Sequence, residues 1–148
     1  MTRGRFALSW FTDSVKEFFR KGGITLDYAD GPEEMLPISG DPERLRQVFC
    51  NLLDNAAKHG GAGKHILVSL YQEGNDAVIR IRDYGPGALE EELPYLKNKF
   101  YKGSSKARGS GIGLAVCEEI VVRHEGRMEV GNAEGGGFIV TIYLPVEN

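Results

Sequence analysis

The sequence is poor in the features that mark membrane-spanning, secreted and nucleic-acid-binding proteins. Its 148 residues include only two cysteines and one tryptophan, and the formal net charge is −3. No apolar run approaches the roughly 20 residues of a membrane-spanning helix, and we expect no signal peptide. A net negative charge creates no basic field for nucleic acid or for an anionic membrane surface. These absences predict a domain that contacts neither nucleic acid nor a membrane.

Length and composition predict one soluble globular domain. The chain is 41% hydrophobic and 26% charged, which is ordinary for such a protein. A length of 148 residues supports one hydrophobic core but not two comfortable ones. We therefore predict a single domain over residues 1–148, with residues 1–5 as a linker or an added terminus. Cys50 and Cys117 lie among apolar neighbours on predicted helices, which favours buried free thiols over a disulfide or a metal site.

A long amphipathic helix is predicted over residues 41–59. Asp41 can cap its N-terminus, and Pro42 suits the first helical position, where no backbone donor is needed. Six apolar residues recur at the spacing of one helical face. They are Leu45, Val48, Phe49, Leu52, Leu53 and Ala56.

A second stripe on the same helix is polar. Asn51, Asn55 and Lys58 form a band about 60° wide beside the apolar face. An amide oxygen can ligate a hard cation such as Mg²⁺, and an ammonium group can meet a phosphate. Taken alone, the stripe is better explained as a solvated helix face, because such faces are the rule.

Strands and helices alternate irregularly along the rest of the chain. Further helices are predicted near residues 11–19 and 112–124. Strands are predicted over residues 24–28, 36–39, 65–71, 77–83, 127–130 and 138–144, with EGND closing a hairpin. This arrangement predicts an α+β fold, a two-layer α/β sandwich in which helices cover one face of a mixed β-sheet.

Glycine is abundant, with 20 residues clustered in loops. Asp83 opens DYGPG at a strand end, where a carboxylate can accept from an exocyclic amine while glycines let a flat ring approach the backbone. An ordinary Asp-containing turn explains this pentapeptide at least as well. Residues 109–114 open a helix with GSGIGL, and free N–H groups at a helix N-terminus attract phosphate. The segment is neither a Walker loop nor a Rossmann fingerprint, because no GK[ST] follows and no strand precedes it.

The order of the motifs is more specific than any single motif. NxxxN on a helix is followed by DxGxG, FYK, GxGxGL and a glycine turn before the last strand. This set resembles the N, G1, F, G2 and G3 boxes of the catalytic ATP-binding domain of bacterial sensor histidine kinases. That domain shares its superfamily with gyrase-type ATPases, a heat-shock chaperone and mismatch-repair ATPases. The resemblance covers residues 24–145 and implies the Bergerat, histidine kinase ATPase-like fold, with a flexible ATP lid at about 97–110.

The resemblance implies a site for ATP and Mg²⁺. Asn55 would ligate Mg²⁺, with Asn51 one helical turn earlier. Lys58 would contact phosphate, and His59 would lie against the adenine or the ribose. Asp83 would accept a hydrogen bond from the adenine amino group.

Further positions implied by the resemblance complete the site. Two glycines, Gly85 and Gly87, would shape the base pocket. Three residues would form the base of the lid, the last of them meeting the γ-phosphate: Phe100, Tyr101 and Lys102. The lid hinge and its N–H donors would come from Gly109, Ser110, Gly111, Ile112, Gly113 and Leu114. Residues 135–137 would form the closing turn.

The sequence departs from the family pattern at three positions. Lys97 replaces the first Phe of the F box, which predicts loose packing of the lid. Tyr84 replaces a common Asn of the G1 box. Phe138 follows the last glycine where relatives often carry Thr. No departure removes an implied ligand of the ion or the phosphates.

The implied activity is that of a protein-histidine kinase whose acceptor histidine is elsewhere. None of His59, His65 and His124 fits a phosphoacceptor context, and His124 is expected to favour the C-terminal dipole of the last helix as a cation. The partner would be the dimerisation and phosphotransfer domain of the parent protein, and indirectly a response regulator. We expect little self-phosphorylation. The domain would be cytoplasmic, in a parent anchored in the bacterial membrane.

Three alternative functions share this fold. ATPases of the superfamily carry a Glu four residues before the metal-binding Asn, as the base that activates water. Here that position is Asn51, which cannot take a proton at neutral pH. This residue favours a kinase over an ATPase. An anti-sigma-factor serine kinase and a nucleotide-binding module without catalysis remain as alternatives.

Overall fold

The computed structural model describes residues 4–7, 25–29, 37–59, 65–95 and 113–146. The strands are β1 Gly4–Ala7, β2 Thr25–Ala29, β3 Pro37–Gly40, β4 His65–Glu73, β5 Asp76–Asp83, β6 Arg127–Asn132 and β7 Phe138–Pro145. The helices are α1 Pro42–His59, α2 Gly113–Arg123 and a 3₁₀ helix at Glu90–Tyr95. The helix predicted near residues 11–19 and the lid predicted at 97–110 lie outside these ranges. Within them, no helix combines the length and apolarity needed to cross a membrane.

Five of the strands form one mixed sheet. Their order is β2-β4-β5-β7-β6, in which β2 and β4 are parallel and every other pair is antiparallel. The predicted mixed sheet is confirmed. A separate pair joins β1 to β3, with Gly4 opposite Gly40 and Arg5 opposite Ser39. Residues 4 and 5 therefore lie in a strand.

The hairpin of β4 and β5 is tighter than predicted. Glu73 pairs with Asp76, so only Gly74 and Asn75 form the loop, with Gly74 at a φ of 61°. Two-residue loops follow the right-handed twist of antiparallel strands. The strand ends were missed because they are polar and exposed, which hides the alternation of a half-buried strand.

Helix α1 forms as its sequence predicts. The Asp41 carboxylate accepts from the Glu43 and Arg44 N–H groups, with its Oδ1 at 3.0 and 3.3 Å, which caps the helix N-terminus. All six predicted apolar positions are buried, none more than 4% exposed. They pack with α2 and with the inward rows of the sheet in one core on a single face of the sheet. The two-layer architecture follows from this packing.

A buried histidine joins the two helices. The Asp41 N–H donates to His124 Nε2 at 2.9 Å, and His124 Nδ1 lies 2.8 Å from the Ile120 carbonyl oxygen. Because Nε2 accepts, the ring is neutral and carries its proton on Nδ1. The expectation of a cation at the helix end was wrong, because His124 is 2% exposed and bonded on both nitrogens. A Cβ at Gly40 would lie 2.5 Å from His124 Cδ2, so glycine is needed there.

The histidine contact fixes the direction of the helices. It joins the start of α1 to the end of α2, and the Cys117 thiol meets the Val48 carbonyl oxygen further along both, so the two helices run antiparallel. A short turn after His124 leads into β6, whose far end, Asn132, pairs with Phe138 at the start of β7. The end of α1 and the start of α2 therefore lie at the same edge of the fold as Asn132. We call this edge, which also holds Asp83 at the end of β5, the site end.

Cys117 is sealed between the helices. It is fully buried, and its thiol lies 3.8 Å from the Val48 carbonyl oxygen. Burial raises the pKa of the Cys117 thiol to about 11, against the opposing effect of a hydrogen bond with the Asn51 side chain. Cys50 is only half-buried, and both cysteines are free thiols. The predicted free thiols are confirmed, although Cys50 is less buried than expected.

The buried thiol should make stability depend on alkaline pH. The folded chain holds the Cys117 proton more tightly than the unfolded chain, so its contribution is complete below pH 9 and is lost as pH rises towards 11. We expect the free energy of unfolding of the wild type to fall by roughly 2 kcal/mol more than that of Cys117→Ala over this window. Denaturant unfolding at several pH values measures the difference. Cys50→Ala is the matched control and should lose more stability at high pH than Cys117→Ala. Parallel curves for wild type and Cys117→Ala would contradict the assignment.

Candidate functional site

Asp83 is the charged group most deeply set at the site end. It continues the inward row of β5, after Ala77, Ile79 and Ile81, and is 1% exposed. Its Oδ1 accepts from the Gly85 N–H at 3.0 Å and from the Phe138 N–H at 3.1 Å. Two backbone donors hold the carboxylate in one orientation. The structure therefore places a fixed negative acceptor where the DYGPG motif leaves the sheet.

Two glycines let the closing turn reach this carboxylate. Gly137 has a φ of 105°, and a Cβ there would collide with the Asp83 carbonyl oxygen. Gly87 has a φ of 76°, and its Cβ would lie 2.6 Å from Asn132 Oδ1. Residues that carry a side chain rarely adopt either of these backbone conformations. The structure thus gives Gly87 a packing role against the closing turn, and Gly85 a role as a donor to Asp83.

Asn132 is a polar residue that sequence reasoning missed. Its Oδ1 accepts from the Ala88 N–H and its Nδ2 donates to the Ala88 carbonyl oxygen, both at 2.8 Å. One amide thus binds both backbone groups of a residue 44 positions away. The only signal in the sequence was that this Asn directly precedes a glycine-rich turn. An Asn at that place is typical of turns in general.

Arg82 holds the closing turn from another side. Its Nη2 donates to the carbonyl oxygens of Glu134 at 3.2 Å and Gly136 at 3.1 Å. The guanidinium lies 4.4 Å from the centroid of the Tyr84 ring, which meets His65 edge-on at 5.0 Å. Tyr84, the residue that replaces the common Asn, therefore packs on a cation.

The polar stripe of α1 divides into two environments. Asn51 is exposed, and its side chain acts on the Cys117 thiol by lowering the pKa that burial raises. Asn55 is half-buried, and its Oδ1 is buried without a hydrogen-bond partner among the described residues. An unpaired buried carbonyl oxygen costs about 1–3 kcal/mol. Asn55 therefore offers a hard oxygen ligand at the site end, which fits Mg²⁺.

The remaining predicted positions fall into three groups. Lys58 and His59 lie at the end of α1, and Gly113 is the first residue of α2. Leu114 is 4% exposed and belongs to the core. The other predicted lid and hinge residues are outside the described ranges: Phe100, Tyr101, Lys102, Gly109, Ser110, Gly111 and Ile112.

The site end can bind a ligand that has a donor at one end and negative charge at the other. Asp83 supplies a carboxylate, and Asn55 supplies an amide oxygen. The N-terminus of α2 at Gly113 presents the positive end of a helix dipole, which favours anions. A shallow groove on the outer side of α1, lined by Glu43, Arg46 and Cys50 among others, lies towards the opposite edge and is not part of this site.

Comparison with known proteins identifies the fold and its relatives. Residues 40–148 match the family described as histidine kinase-, DNA gyrase B- and HSP90-like ATPase. The chain is 38% identical to the sensor protein KdpD of Clostridium acetobutylicum over 120 residues, which cover 78% of this chain and 13% of KdpD. It is 41% identical to the signal transduction histidine-protein kinase AfsQ2 of Streptomyces coelicolor over 108 residues, which cover 71% of this chain and 20% of AfsQ2.

A solved structure gives the same result for the whole fold. The chain matches the mycobacterial sensor histidine kinase MprB with a TM-score of 0.84 and 27% identity, over 99% of both chains. The predicted fold class is confirmed. The chain spans less than a third of the length of the two curated relatives.

The Asp83 carboxylate should contribute to stability through its two backbone donors. Asp83→Asn keeps an oxygen that can accept from both, so we expect a loss of about 1 kcal/mol in the free energy of unfolding. Asp83→Ala removes the acceptor, and we expect a loss of about 3 kcal/mol. Urea unfolding followed by circular dichroism measures both. Asp76→Ala, at the opposite end of β5, is the control and should cost less than Asp83→Asn. If Asp83→Ala is as stable as Asp83→Asn, the carboxylate does not hold the turn.

Proposed function

The chain belongs to the family of histidine kinase-, DNA gyrase B- and HSP90-like ATPases, and we propose that it is the Mg-ATP-binding catalytic domain of a two-component sensor histidine kinase. It presents the γ-phosphate of ATP to a histidine on a separate domain of the parent protein. Relatives named as a sensor protein and a histidine-protein kinase support this role. Because the chain spans only part of each relative, the activity of the parent protein is part of the proposal.

The observation that carries the proposal is that two buried side-chain oxygen acceptors, one of Asp83 and one of Asn55, lie at the same edge of the fold. Asp83 offers a carboxylate that two backbone N–H groups hold in place. Asn55 offers an amide oxygen without a partner among the described residues. A nucleotide bound between them has its exocyclic amine towards Asp83 and its phosphates towards α1.

Base recognition is assigned to the DYGPG segment. The Asp83 carboxylate accepts from the adenine amino group, and guanine, which carries a carbonyl oxygen at that position, is excluded by a lone-pair clash. Gly85 and Gly87 contribute backbone without side chains beside the ring. The discrimination between adenine and guanine works best in a rigid site, because a fixed acceptor does not have to be ordered when the base binds.

Phosphate binding is assigned to α1 and to the start of α2. Mg²⁺ would supply charge neutralisation on the phosphate oxygens, and Asn55 is the residue that would hold it, with Asn51 beside it. Lys58 and Lys102 bring positive charge to the phosphates. The N-terminus of α2 adds backbone N–H donors and its dipole. Phosphoryl transfer depends mainly on such positioning and charge stabilisation, so no protein nucleophile is required in this domain.

Asn51 distinguishes a kinase from an ATPase. A hydrolase needs a base beside the attacking water, and superfamily ATPases carry a Glu at this position. A neutral amide cannot act as that base. The γ-phosphate is therefore kept for an acceptor that brings its own nucleophile. That acceptor is a histidine of the dimerisation domain, and a response regulator receives the phosphoryl group afterwards. A cytoplasmic site in a membrane-anchored parent stays a prediction.

The first functional test concerns Asn55. Asn55→Ala should bind adenosine as the wild type does but lose most of the gain in ATP affinity that Mg²⁺ provides, because its amide oxygen is the proposed protein ligand. Calorimetric titration of ATP with and without Mg²⁺ measures this gain. Gln47→Ala, an exposed amide two turns earlier on α1, is the matched control and should keep the full gain. An unchanged Mg²⁺ dependence in Asn55→Ala would refute the ligand assignment.

The second functional test concerns transfer. The chain alone should bind ATP but neither label itself nor release phosphate at an appreciable rate, since no nucleophile is oriented towards the γ-phosphate. Incubation with γ-labelled ATP and isolated phosphoacceptor domains of sensor kinases should place acid-labile label on those domains. A His→Ala version of the acceptor domain is the control and should stay unlabelled. Fast phosphate release by the chain alone, abolished in Asn55→Ala, would replace the kinase by an ATPase.

A further inference from the structure

We propose that Asn132 is a positioning residue for the nucleotide base, which acts through the backbone of Ala88. The inference rests on the proposed function, since it concerns how the base pocket is held. It adds a residue outside the predicted motifs, at the end of β6 and before the glycines of the closing turn.

The Asn132 amide binds both backbone groups of one residue. Asn132 accepts from the Ala88 N–H and donates to the Ala88 carbonyl oxygen, each at 2.8 Å. Two bonds to the same residue fix both the position and the orientation of that peptide segment. Ala88 is buried whereas Asn132 is exposed, so the two bonds are part-buried and lie between the core and the solvent.

These bonds mark the end of a short segment of the chain. Residues 84–87 are the part of the G1 loop proposed to face the base. At its start, the Gly85 N–H is bound to the Asp83 carboxylate. At its end, Ala88 is bound to Asn132. The segment is thus anchored at Gly85 and at Ala88, and Gly87 between these anchors would otherwise leave it free to move.

Hydrogen bonds within the closing turn keep Asn132 in place. The turn after it is bound by Arg82, which donates to the Glu134 and Gly136 carbonyl oxygens, and by the Ala133 N–H, which donates to the Gly137 carbonyl oxygen at 2.9 Å. The Phe138 N–H ties the far end of the turn to Asp83. Asn132 is therefore a second link between two segments that Asp83 already joins, since Asp83 Oδ1 accepts from both the Gly85 and the Phe138 N–H groups. A link of this kind preorganises a site without touching the ligand.

This arrangement predicts a specific functional signature. Loss of the Asn132 bonds releases the base-facing loop but leaves Asn55 and the phosphate end unchanged. Affinity for the base-bearing part of the nucleotide should fall, whereas the ratio of ATP affinities with and without Mg²⁺ should stay that of the wild type. A purely structural role would lower the folded fraction and leave the affinity of the folded molecules intact.

The experiment compares substitutions at Asn132 with a neighbour in the same turn. ADP without Mg²⁺ is the probe, titrated by calorimetry, with denaturant unfolding to confirm that each variant is folded. Asn132→Ala should weaken ADP binding about tenfold. Asn132→Asp, which keeps the acceptor for the Ala88 N–H, should fall between Asn132→Ala and wild type. Glu134→Ala is the control, because its carbonyl and not its side chain binds Arg82, and it should bind as wild type does.

The outcomes separate this inference from the proposed function. Wild-type ADP affinity in a folded Asn132→Ala variant would overturn the positioning role and leave the proposed function standing. A reduced binding stoichiometry with unchanged affinity would mean a structural role only, and would also overturn it. A wild-type chain that binds no ADP would overturn both.

Discussion

The burial of one carboxylate constrains the whole site end of this fold. An ionised group in the interior is costly unless hydrogen bonds compensate it. Asp83 obtains them from the Gly85 and Phe138 N–H groups, the second of which is 55 residues away. That bond brings the start of β7 against the end of β5, so close that Gly137 cannot carry a side chain. The glycine at position 137 of the closing turn is thus a consequence of the buried Asp83 carboxylate.

A second buried polar contact organises the opposite edge. The bond from the Asp41 N–H to His124 couples the start of α1 to the end of α2 and makes the helices antiparallel. Their other ends then meet at the edge that Asp83 occupies. This contact at one edge therefore goes with a site end at the other, where the helix that carries Asn55 ends and α2 begins.

Local patterns predicted the parts of the fold that depend on local physics. The cap at Asp41, the buried face of α1 and most strands follow from capping and periodicity, which neighbouring residues determine. His124 was misjudged because a buried partner overrides the preference of a helix end for positive charge. Asn132 and Arg82 were missed because their partners are 44 to 54 residues away. Asp83 and Asn55 were selected through the ordered motifs and the family resemblance. Taken alone, Asp83 fits an ordinary turn and Asn55 fits a solvent-exposed helix face.

The two amides of α1 show why spacing alone does not identify a ligand. Asn51 and Asn55 lie one turn apart on the same stripe, yet Asn51 meets the Cys117 thiol at the contact between the helices. Asn55 has a buried oxygen that no described residue satisfies. Leaving it unpaired lowers the stability of the free protein, and a bound cation would offset that cost. Stability therefore favours pairing this oxygen, whereas a binding site needs it open. The end of α1 that carries this oxygen lies at the site end, where α2 also begins.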